Sequence, residues 1–500
     1  MAEKWSSQGG DLHLDWQPGS GSRGLADALR RAIRGGRLEP GTALPSTRSL
    51  AADLGLARGT VTRVYADLAA EGYLHSSQGA PTKVAVAGTS ALPPAGVLPP
   101  GSASHPEPGR PALPPGPAVP WDLFPGRPDL SSFPRAMWLS AARRVMQQAP
   151  SRAFDYGDPL GAAGLREALA RYLGRSRGVL ADPEHIVVCG GFRHAITVLA
   201  SVLTSRGIGE IAFEDPSLPQ LREAAAATGL RVTGVPVDDL GARIAGLDCP
   251  AVVLTPSHQF PLGVTMSPGR RRELVSWTAR TGGVVIEDDY DGEFRFDRTP
   301  VGTLQGLMPD QVVYAGTASK AIAPALRVGW LVLPRALVRP VGAAITLTGW
   351  RPPVIDHLIL AELMDSGAYD RHVRQRRAAY RRRRDRLLNA LPSWATPVGI
   401  AAGLHLLVML PPSGPAEAGV LAAARRNGVA IDGLGRYWMT GGPAGLVVGY
   451  ATPPDHAFGP AVDALVASLQ AAFQEQPGVA TAGHHRQARP ASGDSSSRPI

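Results

Sequence analysis

The stretch from 88 to 120, GTSALPPAGVLPPGSASHPEPGRPALPPGPAVP, holds 11 prolines and almost no charge. Proline lacks a backbone N–H and fixes φ, so at this density neither a helix nor an interior strand runs through, and the segment reads as a semi-rigid, polyproline-like spacer. Loops this long are uncommon inside one compact domain. The spacer therefore divides the 500-residue chain into a head at 12–87 and a large domain at 121–473. With 44% hydrophobic residues overall, the large domain has ample material for a core,. A second low-order stretch, 474–500, is rich in Gly, Ser, Pro and His and reads as a disordered tail,. The N-terminus has no apolar signal segment, and no run approaches the roughly 18 apolar residues of a membrane span. Two cysteines, Cys189 and Cys249, are too few for a disulfide framework or a Cys-rich zinc site,. A cytoplasmic protein that neither spans nor binds a membrane is expected.

In the head, LADALRRAIRGGRL places Leu25, Leu29 and Ile33 on one helical face and stops at Gly35-Gly36,. LPSTRSLAADLG offers Ser46 as an N-cap, Leu50 and Leu54 one turn apart, and a stop at Gly55,. LARGTVTRVYADLAAEGYL gives a third helix with Val61, Val64, Tyr65 and Leu68 inward. Its other face carries Arg58, Thr60, Thr62 and Arg63, with Arg48 on the preceding helix. Two short helices joined by a tight Gly turn match helix-turn-helix geometry, in which the second helix enters the major groove of double-stranded DNA. Arginine there reaches guanine edges or phosphate, and threonine reaches base edges or backbone. YLHSSQGAPTKVAVA follows as a β-hairpin wing, with Gly79 at its turn and Lys83 toward phosphate. The plainer alternative is a generic three-helix unit with a solvated third helix.

In the large domain, short apolar runs alternate with amphipathic stretches. IVVCGG (186–191), EIAFED (210–215), AVVLTP (251–256), GVVIEDD (283–289) and VVYAG (312–316) read as buried strands separated by helices. This alternation predicts an α/β core with a mostly parallel sheet, whose ligands sit beyond the carboxyl ends of the strands.

Lys320 is the only lysine after residue 83, in a chain whose other lysines are Lys4 and Lys83. Such a position selects an amine able to lose its proton, which arginine cannot offer, and Schiff-base chemistry needs such an amine. The plainer alternative is a surface lysine in an arginine-biased composition. Thr317, Ser319 and Arg327 flank Lys320 and suit a phosphate,. VVIEDDYDGEFR puts Asp288 at the end of an apolar strand, where a buried carboxylate keeps the ring nitrogen of pyridoxal 5'-phosphate protonated, and Tyr290 within reach of the ring oxygen,. Glu287, Asp289 and Asp291 are left as solvated or metal-binding; no P-loop accompanies them. Upstream, CGGFRHAI offers backbone N–H groups of Gly191, Phe192 and Arg193 to a phosphate at a helix start,.

GGRLEPGTALPSTRSLAADLGLARGTVTRVYADLAAEGYL resembles the winged helix-turn-helix of the GntR superfamily. DYGDPLGAAGLREALARYL, TPSHQFPLGVTMSPGRRREL, IEDDYDGEFRFD and GTASKAIAPALRVGWLVLP resemble fold-type I aminotransferases, and more closely the aminotransferase-like domain of MocR-type regulators. The resemblance implies a homodimeric transcription regulator in which pyridoxal phosphate is held by Lys320, with Asp288 on the pyridine nitrogen, Tyr290 on the ring oxygen and Arg327 on the phosphate. It leaves an aminotransferase carrying an appended head, or a regulator sensing another amino compound, as alternatives.

Departures from the family pattern bear on the ligand. The family commonly has serine where Ala57 stands, so a helix cap is missing, and the wing turn reads Gly79-Ala80-Pro81-Thr82. The arginine that holds a substrate carboxylate in aminotransferases is replaced by Val447 in Leu446-Val447-Val448-Gly449-Tyr450. A buried carboxylate without a charged partner is costly, so an α-amino acid substrate is disfavoured unless Arg222 or Arg436 takes over. The expected effector is pyridoxal phosphate itself, as in the branch controlling pyridoxine biosynthesis, with transamination lost or vestigial and no catalytic residue assigned. An aromatic residue is missing at Leu218, and Arg193 and His194 stand where Gln or Thr is usual.

The formal net charge is +9, yet residues 1–87 carry ten basic and eight acidic side chains, while 371–386 carry nine arginines and one aspartate. The charge excess therefore belongs to RHVRQRRAAYRRRRDR, which reads as a solvated helix or as a second phosphate-contacting surface.

Overall fold

The computed structural model describes Leu14, Trp16, residues 19–85 except Gly36, Gly72 and 76–80, and residues 119–475 except 297–301 and Pro352. The chain separates into two units, Met1–Pro106 and Glu107–Ile500, so the division falls within the proline-rich segment. The wing turn at 76–80, most of the spacer and the tail from 476 lie outside the described residues.

The head consists of α1 (Gly21–Arg34), α2 (Thr47–Leu54), α3 (Arg58–Ala70) and the antiparallel pair β1 (Leu74–His75) and β2 (Lys83–Val84). Ser46 Oγ accepts the Ser49 N–H at 3.1 Å and caps α2, and α2 ends on Gly55 at φ 66°, a left-handed conformation that glycine adopts without strain,. Leu25, Leu29, Leu50, Val61, Val64, Tyr65 and Leu68 form the core with Leu74 and Val84 from the strands. Ile33 is only part-buried at its edge. Ala57 stands at the N-cap of α3 and supplies no side-chain cap.

The large unit opens with β3 (Trp121–Asp122), α4 (Arg135–Gln148) and α5 (Ala163–Arg177), followed by β4 (Ile186–Cys189), α6 (Phe192–Ser205), β5 (Glu210–Asp215) and α7 (Pro219–Ala226). Then come β6 (Arg231–Asp238), β7 (Gly241–Ala242), β8 (Ala251–Leu254), α8 (Pro268–Thr281), β9 (Val284–Asp288), β10 (Val312–Thr317) and β11 (Gly329–Val332). Helices α9 (Arg335–Leu347), α10 (Val354–Asp365) and α11 (Ala368–Ala390) lead to β12 (Thr396–Val398), β13 (Leu406–Met409), α12 (Glu417–Arg426), β14 (Val429–Ala430), β15 (Asp432–Gly433), β16 (Gly445–Val448) and α13 (Asp455–Gln474). Gln474, assigned from sequence to the tail, is the last residue of α13.

The main sheet has the order β4-β11-β10-β9-β8-β5-β6-β7. Strands β10, β9, β8, β5 and β6 pair in parallel, while β11 runs antiparallel to both its neighbours and β7 antiparallel to β6. The five runs read as strands are β4, β5, β8, β9 and β10. Sequence reading passed over β6, whose Gly234 and Pro236 argue against a strand, and β11, which lies among the residues taken as the lysine motif,. Both faces of the sheet are covered, which explains the continuous apolar runs. Ile186 and Val188 pack on one side with Leu165, Leu169 and Tyr172 of α5 and Leu360 and Leu363 of α10. Val187 and Cys189 pack on the other with Ile196, Leu199 and Leu203 of α6 and Val341 and Ile345 of α9. A smaller sheet, β12-β13-β16-β15, lies beside this layer, and β14 pairs with β3. Among the described residues no helix is long and apolar enough to cross a membrane.

Candidate functional site

The carboxyl ends of β5, β8, β9 and β10 open into a cavity of about 350 Å³, the position at which open α/β sheets take their ligands. Phe192, Arg193, Asp288, Tyr290, Thr317, Ser319 and Lys320, all singled out from sequence, line it together. Gly191 and Arg327 do not line it. Gly191 caps the start of α6 at φ 99°, and a Cβ on Gly329 would come within 2.9 Å of its Cα, so this strand-to-helix turn needs glycine on both sides,. Arg327 is exposed, stands in the left-handed region at φ 53°, and its charge acts on Cys189 and His194 beside that same turn.

Lys320 and Asp288 face the cavity as an electrostatic pair. Burial lowers the Lys320 amine from its ordinary value, opposed by the carboxylates of Asp288 and Asp291,. Burial likewise pushes the Asp288 carboxyl well upward, opposed by Lys320 and reinforced by Asp289, Asp291 and Glu214. Asp288 is 7% exposed, and no described group donates a hydrogen bond to its carboxylate. The Lys320 ammonium donates to the Gly126 carbonyl at 2.5 Å. Thr317 Oγ1 accepts the Ser319 N–H at 3.1 Å and shapes the turn that carries the lysine. At the start of α6 the first amides have no acceptor within the helix and lie at the positive end of its dipole, where an anion is stabilised,.

The other acidic residues of IEDDYDGE are buried rather than solvated. Glu287 accepts the backbone N–H groups of Leu304 and Gln305, both at 3.0 Å, and is pushed up to about 7 by burial. Asp289, whose side chain is 2% exposed, is gripped by Arg177 at 2.6 and 2.8 Å and accepts the Tyr314 hydroxyl at 2.7 Å. Asp291 lies 2.8 Å from His258 Nδ1. Alternation along the strand end explains the division: Asp288 points into the cavity and Asp289 into the opposite layer.

On the side where a substrate carboxylate would sit, Val447 is fully buried in an apolar cluster with Phe260, Leu407, Leu434 and Tyr437, and does not itself line the cavity. Arg222 donates to the carbonyls of Ser217 at 3.1 Å and Tyr437 at 2.7 Å and does not reach the cavity lining. Arg436 lines the cavity but donates to Asp432 at 3.0 Å, and Leu218 contributes an apolar wall.

Sequence reading missed several cavity residues. Glu214, 3% exposed, accepts from Thr255 and from Gln259 Nε2 at 3.3 Å, and burial raises it to about 7. Phe124, Pro125 and Gly126 reach the cavity from the segment just after β3, Asp432 from β15 of the small sheet and Tyr437 from the short 3-10 helix that follows it. A signal existed for His258, which follows β8 in TPSHQFPLG at the end where ligands bind.

In the head, Arg48, Arg58, Thr62 and Arg63 are exposed and Thr60 is part-buried, so α3 presents the polar face read from its sequence. The Thr62 hydroxyl donates to the Arg58 carbonyl at 3.0 Å. Lys83 is exposed on β2 and pairs with His75 across the wing.

Residues 22–84 match the family model of bacterial regulatory proteins, gntR family, and residues 128–429 match that of aminotransferase class I and II. The chain is 32% identical to the HTH-type pyridoxine biosynthesis transcriptional regulator PdxR of Corynebacterium glutamicum, over 86% of this chain and 91% of that protein. It is 31% identical to the probable rhizopine catabolism regulatory protein MocR of Rhizobium meliloti, over 86% and 90%. Among solved structures, the kynurenine aminotransferase of Pyrococcus horikoshii superposes with a TM-score of 0.63 at 23% identity, covering 70% of this chain and 90% of that one. The multiple substrate aminotransferase of Thermococcus profundus gives 0.65 at 22%, covering 72% and 93%. These structures share the fold of the large unit. With a GntR-type head ahead of a fold-type I aminotransferase-like domain, and regulators of that same arrangement along nearly its whole length, the chain belongs to the MocR-type subfamily of GntR transcription regulators.

Proposed function

We propose that this regulator holds pyridoxal phosphate at Lys320 and that its effector, sensed at the same site, is pyridoxal phosphate itself, with pyridoxine-biosynthesis genes as its targets. The observation that carries the reading is the pairing of the large unit's sole lysine, desolvated, with a buried carboxylate that has no described donor, across one cavity. The residues fit the group. Asp288 would meet a protonated ring nitrogen, Tyr290 the ring oxygen, and Thr317, Ser319, Arg327 and the amides of Gly191, Phe192 and Arg193 the phosphate. The cofactor supplies an aldehyde that a neutral amine captures and a ring that withdraws electrons.

Burial of Val447 among apolar residues, with Arg222 committed to backbone carbonyls, supports an effector without an α-carboxylate and a regulatory rather than catalytic domain. The named role of the Corynebacterium relative points the same way. On this reading a cytoplasmic homodimer binds paired half-sites through Arg48, Arg58, Thr60, Thr62 and Arg63, and effector binding favours one placement of the heads. Arg436 at the cavity wall favours a second reading, an amino-compound sensor or an aminotransferase with an appended head.

The test is DNA binding to the promoters flanking the protein's own gene, with and without pyridoxal phosphate. Retention that changes with pyridoxal phosphate and survives Lys320→Ala in one effector state supports the first reading. Turnover of an α-amino donor, or a spectral change with α-amino acids but not with pyridoxal phosphate alone, overturns it.

A further inference from the structure

Beside the cavity, three buried residues form a cluster to which no role has been given. His258, Asp291 and His405 are 3%, 2% and 4% exposed, and one ligand-type atom from each lies within 4.8 Å of the others. His258 Nδ1 lies 2.8 Å from Asp291 Oδ2 and 3.0 Å from the Tyr290 hydroxyl. His405 Nε2 donates to the Pro261 carbonyl at 3.3 Å, and burial together with His258 pushes His405 down to about 3, so it stands neutral. The surrounding chain makes room for this pair. Gly403 sits at φ 81°, and a Cβ there would come within 2.3 Å of His258 Cε1 and 2.7 Å of Asp291 Oδ2.

A single imidazole nitrogen either donates or accepts. A carboxylate at 2.8 Å draws the proton onto Nδ1, so His258 presents its one N–H to Asp291, with the Tyr290 oxygen at 3.0 Å as its second acceptor,. Tyr290 then accepts from His258, and its own proton is left to point elsewhere. The Asp291 carboxylate lies against the same histidine nitrogen, and its charge acts on the Tyr290 hydroxyl. Without His258, the Tyr290 proton would go to Asp291.

We infer that His258 is a positioning residue: by occupying Asp291 and donating to the Tyr290 oxygen, it commits the Tyr290 hydroxyl to act as a donor into the cavity. The inference rests on the reading that Tyr290 meets the ring oxygen of a cofactor held by Lys320. The titratable groups facing Tyr290 are His258, Asp291, Asp288 and Tyr450, with His405 and Lys320 one layer further. A donor on the ring oxygen stabilises negative charge there and so favours loss of the proton shared between that oxygen and the lysine nitrogen.

The experiment is a pH titration of the bound cofactor's absorbance in the full-length protein and in His258→Leu, His258→Asn, Tyr290→Phe and the His258→Leu/Tyr290→Phe double variant. Tyr290→Phe should raise the midpoint by about one pH unit, the size of one hydrogen bond to a charged oxygen. His258→Leu should raise it by a similar amount, and the double variant by no more than either alone. His258→Asn keeps a donor toward Asp291 and should restore most of the midpoint, which a purely space-filling role would not do. Additive shifts, or a midpoint unmoved by His258→Leu where Tyr290→Phe moves it, would overturn the inference. Should His258→Leu not fold, an Asn variant that leaves the midpoint where Tyr290→Phe puts it would overturn it as well. Absence of a lysine-linked chromophore in the unaltered protein overturns the cofactor reading and this inference together, whereas a chromophore without the His258–Tyr290 coupling sinks the inference alone.

Discussion

The Lys320 ammonium donates to the carbonyl of Gly126 at 2.5 Å, joining the large unit's only lysine to the segment that follows the spacer. That segment is fixed at its start by pairing of Trp121 and Asp122 with Val429 and Ala430, and the Gly449 N–H donates to the Leu123 carbonyl at 2.7 Å. Beyond Leu123 it enters the cavity wall at Phe124, Pro125 and Gly126. Attachment of a carbonyl compound to the lysine removes the donor that Gly126 now has. Amide hydrogen exchange over 124–127 is therefore expected to rise when pyridoxal phosphate is added and to be insensitive to it in Lys320→Ala. Exchange that stays the same on loading the unaltered protein would show that the contact does not restrain this segment.

The contribution of Glu293 to the stability of the large unit should fall as pH rises from about 4.5 to about 7,. Glu293 is 8% exposed, between the hydroxyls of Tyr172 at 3.5 Å and Tyr369 at 3.4 Å, and burial raises its carboxyl from 4.5 to about 7. Between these values the folded chain keeps a proton that the unfolded chain has released. The native state thus binds more protons, and its stability is full below about pH 4.5 and is lost progressively up to about pH 7,. Glu293 does not line the cavity, so Glu293→Gln isolates the effect from ligand binding. The difference in melting temperature between pH 5 and pH 8 is expected to shrink in that variant. An unchanged difference would mean that Glu293 does not carry the slope.

The head offers a stabilising substitution. Ala57 occupies the N-cap of α3 at φ −66° and ψ 136°, the extended conformation in which a serine side chain can accept from the first turn, yet it supplies no cap. Ser46 shows the same function fulfilled on α2. Ala57→Ser is expected to stabilise the head by about 1 kcal/mol, and Ser46→Ala to destabilise it by a similar amount. Denaturant unfolding followed by far-ultraviolet circular dichroism on both variants checks the pair; equal stability of Ala57→Ser and the unaltered head would contradict it.

How much of this was legible in the residues differs between fold and site. Strands β4, β5, β8, β9 and β10 could be read because each is buried on both faces and so appears as a short apolar run,. β6 could not, because its burial is uneven and it contains Gly234 and Pro236, and the antiparallel setting of β11 is a property of pairing rather than composition. Lys320 stood out because lysine is scarce, and Asp288 because it closes an apolar run. The roles of Asp289 and Asp291 were not legible: their partners, Arg177 and His258, lie 112 and 33 residues away in sequence. The same holds for Val447, whose departure from the family pattern was visible but whose burial against Phe260 was not.

The arginine run is two surfaces rather than one. On α11, Arg371, Arg374, Arg381, Arg382 and Arg386 are exposed, whereas Arg383 is 5% exposed and donates to Asp129 at 2.9 Å, to Asp455 at 2.6 Å and to the Ala451 carbonyl at 3.0 Å. The Asp129 side chain is 2% exposed, so loss of Arg383 leaves a buried charge with its cation gone. Arg383→Ala is expected to destabilise the large unit by about 3–5 kcal/mol, since breaking a buried pair costs far more than an exposed one contributes. Charge reversal across 381–384 would therefore confound folding with any role in polyanion binding. The separable test is Arg381→Glu with Arg382→Glu, at which surface substitution costs no more than about 0.5 kcal/mol each. If the run is only a solvated helix, promoter affinity and its salt dependence should match the unaltered protein. Weaker binding with a shallower salt slope, at unchanged melting temperature, would instead mark the exposed stripe as a phosphate-contacting surface.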